Sequence, residues 1–314
     1  MLTTYVGYYL DLEPGTLLTV AIVLALVGAG GMALVLRPRP APSSSELAGQ
    51  ARRHAAVVHA TACALGVAAA LALDVLSFHM GHTWRSHEDT TLKVLRAALG
   101  TAWPLLVGLT YLGVHALGAW RWPRPAGQLR RATLVPRDDP TPARLQRLAL
   151  AWVGLTIAAL VALLVVFATG GRLHAAVVLL PALIAVTAIA LLAAARGVVA
   201  VVRDRVGLGG PPEHDAAARR LSAHRVLRGV QLILAATAAD HVFAIGTIHL
   251  SGMYELESVA VGYACLVIAG LILLTGVVAA LLPAGRLRPR TPRAAGADPA
   301  HEPSPDHAAP RAAS

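Results

Sequence analysis

The side chains best suited to chemistry in this sequence are histidine and methionine at the ends of apolar runs. His79, Met80 and His82 close the second such run, with His87 just beyond, and His249 and Met253 close the sixth. Imidazole nitrogen and thioether sulfur suit Cu(I) or Cu(II), whereas magnesium and calcium require oxygen ligands. The competing reading is that interfacial histidines and methionines face headgroups or loops. A second group, Asp74, Asp240 and His241, falls inside apolar runs, where ionisable side chains are costly unless they face inward with a partner or lie shallow and hydrated. Thr237, Asp240 and His241 share roughly one helical face, and Asp74 could orient one of the histidines. A third pair, His59 and His115, lies near the opposite ends of the second and third runs. Two facing histidines can ligate a b-type haem, and they can equally be lone helix histidines satisfied by a neighbouring hydroxyl or carbonyl.

The elements that must position these residues are membrane helices. Of 314 residues, 56% are hydrophobic and 14% charged, and the mean hydropathy is +0.62, whereas a soluble domain carries about 25% charged residues. A crossing of about 30 Å needs roughly 20 apolar residues. Seven stretches supply them: Thr16–Leu36, Ala55–Phe78, Ala97–Trp120, Leu148–Thr169, Ala175–Ala195, Gly229–Ile248 and Val259–Leu282. The expected fold is therefore an all-α membrane protein of seven transmembrane helices.

The net charge of +10 sits in short arginine blocks between apolar runs, a membrane pattern rather than a nucleic-acid-binding face. The blocks are Arg37 to Arg53, Arg121 to Arg147, Arg196 to Arg228 and Arg286 to Arg293. They occupy alternate connections, so the positive-inside rule makes those cytoplasmic and puts the N-terminus outside. Residues 1–15 are expected to form an external segment and 16–283 the membrane domain. Residues 284–314 are too poor in large apolar side chains to fold and should form a disordered cytoplasmic tail. Lys93 is the only lysine, so the last helix cannot carry a retinal Schiff base, and Cys63 and Cys265 fall in apolar runs, away from a disulfide-forming loop. Pro104 and Pro181 can kink their helices. No Walker loop, dinucleotide fingerprint, metalloprotease pair or serine elbow occurs, and the expectation is that this is not an enzyme.

After a lone first helix one pattern is written three times: arginine block, outward helix, external turn, inward helix. Three repeated helical hairpins are the implied architecture. The outward helices end in Ser77-Phe78-His79-Met80-Gly81-His82, Val166-Phe167-Ala168-Thr169-Gly170 and Ile248-His249-Leu250-Ser251-Gly252-Met253. The last resembles the Met-His-Tyr-Thr-Gly-Met signature of MHYT-domain proteins, with Ile248 and Leu250 in place of Met and the aromatic. The first copy has His82 where glycine is expected, and in the second Phe167 replaces the histidine. The resemblance implies a bacterial cell-membrane sensor or signalling module with a metal ion, copper in that family's proposed role, or a small ligand bound near the outer face. It covers about residues 16 to 282. With no signalling domain in view, output would need a cytoplasmic or membrane partner at the arginine-rich connections, although those arginines could simply meet anionic lipid. A transporter or assembly factor for a small solute or metal, with Asp74, Asp240 and His241 along its path, is the alternative, followed by a haem-carrying redox subunit on His59 and His115. Orientation has a direct test: Glu13→Cys is expected to react with an impermeant thiol reagent in intact cells, and Ser304→Cys is not.

Overall fold

Long runs of Leu, Val, Ala and Ile in a solvent without hydrogen-bonding capacity leave the helix as the element that satisfies every backbone group within its own segment. The structure, a computed structural model, describes residues 14–36, 44–83, 90–122, 143–169, 175–204, 212–250 and 258–281. Among the described residues there are seven helices and no strand: α1 Pro14–Leu36, α2 Ser44–Thr83, α3 Thr90–Trp120, α4 Ala143–Thr169, α5 Ala175–Asp204, α6 Pro212–Leu250 and α7 Val259–Leu281. Six of them are long and apolar enough to cross a bilayer. The remaining one, α3, has 31 residues and is punctuated by Pro104, Thr110, Tyr111 and His115. The protein is an all-α, multi-pass membrane protein. The expected external segment and the tail lie outside the described residues, apart from Pro14 and Gly15 at the start of α1.

The first three helices pack in chain order, and the later ones gather on α6. Helix α1 lies on α2, α2 on α3, and α3 against both α5 and α6; α4 packs on α5 and α6, and α7 packs on α6. Each expected hairpin is therefore a packed pair. Contacts also give the directions. Gly28 and Gly31 of α1 meet Leu65 and Thr61 of α2, so those helices are antiparallel. His54 and His59 of α2 meet Gly118 and His115 of α3, again antiparallel. Tyr111 reaches Gly229 and the Arg225 carbonyl of α6, while the level of Gly118 meets Ser222 and Arg225 at the rim of a small cavity; α3 and α6 are antiparallel, and α2 and α6 run parallel. Gly246 faces Gly262 and Gly276 faces Ala235, making α6 and α7 an antiparallel pair.

These directions gather the arginines whose side chains are described, Arg52, Arg53, Arg121, Arg144, Arg147, Arg196, Arg203, Arg219, Arg220, Arg225 and Arg228, at one end of the bundle. The helices are longer there than hydropathy predicts. Helix α6 begins at Pro212 rather than Gly229, α5 ends at Asp204 rather than Ala195, and α2 begins at Ser44 rather than Ala55. The stretch Arg196 to Arg228, expected as a connection, is thus mostly helix. Ala223, Val226, Leu227 and Val230 explain the extension of α6: they follow the i, i+3, i+4, i+7 spacing of one helical face, and all are buried. Arg219 ties the extended ends together by donating to the Arg203 carbonyl of α5 and pairing with Asp215 one turn earlier.

Helix association in lipid has no hydrophobic driving force, so it depends on close packing of small residues and on interhelical hydrogen bonds. The outer faces of α1 and α7 are what lipid requires, with Leu18, Ile22, Val23, Leu26, Val267, Leu271, Leu274 and Leu281 all exposed. Inside, Gly108 and Gly229 are close approaches: a Cβ at Gly108 would overlap the side chain of Leu191, and one at Gly229 the ring of Tyr111. Gly197 on α5 meets nothing within 4 Å. Gly229→Ala is expected to destabilise the bundle by about 1–3 kcal/mol through overpacking, whereas Gly197→Ala should be neutral or stabilising by up to about 1 kcal/mol; reversible unfolding in mixed detergent measures both.

Candidate functional site

At the arginine-bearing end, α2, α3 and α6 enclose a polar cluster in an otherwise apolar core. Its base is Tyr111, which is buried and donates from its hydroxyl to the Arg225 carbonyl of α6 at 2.8 Å. The bare backbone at Gly229, one turn on, gives the phenol ring room to lie flat against that helix. The His115 ring stacks at a tilt 4.7 Å from Tyr111, and His59 of α2 stands 5.7 Å from His115 and 6.3 Å from Tyr111. One turn along α2, the Cys63 sulfur comes 4.0 Å from His59 Nε2. Nearer the helix ends, His54 is 1% exposed, donates from Nε2 to the Gly118 carbonyl at 2.8 Å and meets Trp122 edge-on at 5.7 Å. Arg225 Nη1 crosses to the Ala55 carbonyl of α2 at 3.1 Å.

The cross-helix bonds of His54, Tyr111 and Arg225 each end on a backbone carbonyl. Helical carbonyls retain a second lone pair after their own helix bond, so they can accept an additional donor without breaking the helix. Two further links follow the same rule: buried Thr156 of α4 donates to Leu234 O at 3.1 Å, and Gln231 of α6 donates to Leu145 O at 3.1 Å. Two ring nitrogens of the cluster, His59 Nδ1 and His115 Nε2, are buried and have no hydrogen-bond partner among the described residues.

His59 and His115 are therefore brought face to face, as their positions near the inner ends of adjacent helices suggested. The ring centroids of His59, Tyr111 and His115 lie 4.7–6.3 Å from one another. The described residues contain no group of three or more His, Cys, Asp or Glu arranged to hold a metal ion.

The outer-face set is placed only in part. His79, Met80 and His82 lie on the last turns of α2, and Asp74 lies earlier on the same helix; their side chains are outside the described residues, as is Met253. His249 stands half-buried on the last turn of α6. Ala55 to His79 and Arg225 to His249 are equal lengths of helix. With α2 and α6 parallel and joined at Ala55 and Arg225, both histidines lie on the order of 36 Å from that joint at the rise of an α-helix. Asp240 and His241 are buried on α6, and His241 Nε2 has no hydrogen-bond partner. Thr237 turns its hydroxyl back to Ile233 O of its own helix at 2.8 Å, so it does not serve His241.

His54, Trp122, Ser222 and Arg225 were not singled out by sequence reasoning, which placed His54 just outside a span and Arg225 in a connection. The buried spacing of Ala223, Val226, Leu227 and Val230 was the available signal for Arg225. Comparisons with protein-family models, curated proteins and solved structures give no match for this chain.

Tyr111→Phe removes the hydroxyl while keeping the ring over Gly229. It is expected to cost about 0.5–1.5 kcal/mol in detergent unfolding, the net value of one hydrogen bond. An unchanged midpoint would mean that the hydroxyl does not hold α3 to α6.

Proposed function

We propose that this protein is an integral membrane sensor or signalling module that binds a soft metal ion, with copper the first to test, or a small ligand at the end of the bundle opposite the arginines. The observation that carries this reading is the parallel pair α2 and α6, joined by Arg225 and Ala55 and running equal lengths to His79 and His249. His79, Met80, His82 and His249 then belong to one level of the bundle, the level at which MHYT-domain proteins carry their motifs, and Met253 follows His249 by four residues in the sequence. By the positive-inside rule the arginine-bearing end is cytoplasmic and the histidine tips face outward. On this reading α3 is the seventh span, and the chain resides in a bacterial plasma membrane. Asp74, Asp240 and His241 support the tips from within the outer half of the helices.

Output passes to a cytoplasmic or membrane partner, for which the helical extensions of α5 and α6 beyond the apolar region offer the surface. The transporter alternative finds less support among the described residues. Between Arg225 and Thr237 the buried face of α6 carries Val226, Val230, Ile233 and Leu234, and its one polar member, Gln231, donates its amide to Leu145 O while its Oε1 is buried without a partner among the described residues. A path for a hydrated solute would need polar groups at that depth.

Metal analysis of the detergent-purified protein tests the proposal. Stoichiometric copper is expected in the wild type, and at least a tenfold loss of affinity, about 1.4 kcal/mol, is expected in the His79→Ala, His249→Ala double variant. Copper absent from the wild type after reconstitution, or bound equally by the variant, overturns the metal reading.

A further inference from the structure

At the arginine-bearing end one arginine stands apart from the rest. Arg228 is half-buried, and both its Nε and its Nη1 are shut off from solvent with no hydrogen-bond partner. Among the described residues no other arginine has two such donors; Arg219 and Arg220 have one each, and Arg219 also holds Asp215 and the Arg203 carbonyl. The ion pairs found among the described residues join Arg203 to Asp204 and Arg219 to Asp215, and none reaches Arg228. Gln231 Oε1, one turn on along α6 and also without a partner, can take one of these hydrogens but carries no charge. An arginine that merely snorkels keeps its charged head in water. Arg228 instead turns two of its three nitrogens inward.

Its depth follows from the contacts of α6 with α7. Ala235 faces Gly276 in that antiparallel pair. Arg228 precedes Ala235 by about two turns of helix and lies on nearly the same face. The matching level on α7 falls just beyond its last residue, Leu281. The outer face of α7 stays apolar up to that end, with Leu274, Val278 and Leu281 exposed. Hydrocarbon therefore reaches the level of Leu281, and the guanidinium of Arg228 stands where the phosphate esters of the lipid begin. Arg220, about two turns nearer the start of α6, adds a second positive charge on the same side of the helix.

We propose that Arg228 is the centre of a binding site for the phosphate ester of one anionic membrane lipid, in the leaflet at the arginine-bearing end. The accessible part of the guanidinium takes the phosphate oxygens, a pairing for which its planar donors are suited, and the phosphate supplies the missing counter-charge. Arg220 favours a headgroup of net negative charge over a zwitterionic one. Basic pockets beside membrane helices hold lipid headgroups in this manner. The site lies at the end of the bundle opposite the histidine tips and does not depend on what they bind.

Native mass spectrometry tests the site, using full-length protein stripped of lipid in neutral detergent and titrated with phosphatidylglycerol, phosphatidylcholine or inorganic phosphate. One phosphatidylglycerol is expected to bind ahead of all others, roughly tenfold more tightly than phosphatidylcholine, and inorganic phosphate at matched concentration should not displace it. Arg228→Gln should weaken this first binding by roughly tenfold or more, and Arg228→Lys by less, since it keeps the charge and loses the planar donors. Arg53→Gln, which removes an exposed arginine at the same end of the bundle, should leave it within about twofold of the wild type. Equal losses in Arg228→Gln and Arg53→Gln overturn the proposal, because that is how a diffuse charged surface behaves. Should Arg228→Gln not fold, the wild-type titration decides: a distinct first lipid upholds the site, and a statistical ladder of bound lipids overturns it. Equal binding of phosphatidylcholine overturns it as well, as does displacement by inorganic phosphate, which would make the ligand a free anion.

Discussion

The fold rests on how closely other backbones can approach α6. Lipid tails solvate leucine as well as another leucine does, so burying an apolar face gives little reason for two membrane helices to associate. What remains is dispersion between surfaces close enough to interlock, and hydrogen bonds with nowhere better to go. Helix α6 meets both conditions. Its fully buried positions include Ala223, Ala235, Ala238 and Ala239, and its glycines take the Tyr111 ring at Gly229 and the α7 backbone at Gly246. Six elements cannot all touch one rod, so α1 reaches the bundle through α2, where Gly28 and Gly31 repeat the same device.

Close approach then makes polar chemistry available. With backbones near one another, a side chain on one helix can reach a carbonyl on the next, as do His54, Tyr111, Arg225, Gln231 and Thr156. Carbonyls are the acceptors because a helix in lipid offers no other backbone group in excess; its N–H groups are consumed within the ladder. The polar cluster of α2, α3 and α6 is in this sense a product of the glycine contacts, since moving α3 outward by one methyl group at Gly229 would carry Tyr111 away from Arg225 O.

Much of the architecture was legible in the sequence because hydropathy is a property of segments. Runs of about 20 apolar residues gave the helices, and alternating arginine blocks gave the directions that the packing reproduces, with α2 and α6 parallel and each hairpin a packed pair. The helix lengths were not legible that way. Averaging over a window discards phase, and the first turns of α6, with Arg219, Arg220, Arg225 and Arg228 interleaved with the buried Ala223, Val226 and Leu227, average to a polar loop. The meeting of His59 and His115 could be anticipated from their matching depth on neighbouring helices. Tyr111 between them and the helix, and Arg225 closing the cluster, could not. Their proximity is set by the rotation of α3 and α6 about their axes, and that follows from where glycine permits contact rather than from any local spacing.

The positions of the two polar regions also limit how one end of the molecule could influence the other. Between the Arg225 level and the His249 level the interior is mostly packed alanine, valine, isoleucine and leucine, interrupted by the buried Thr156, Gln231, Thr237, Asp240 and His241. Tightly packed apolar interfaces are bistable rather than continuously deformable, so influence across them takes the form of rigid shifts of whole helices. Helix α6, 39 residues long, is the natural carrier because it alone contacts α2, α3, α4, α5 and α7. A displacement imposed at its His249 end would be felt at the other end where α6 is least free to yield, at Gly229 against Tyr111 and at Arg225 against Ala55. The glycine contact resists approach, and the Tyr111 bond to Arg225 O and the Arg225 bond to Ala55 O resist sliding, so a displacement of α6 at this end would carry α2 and α3 with it.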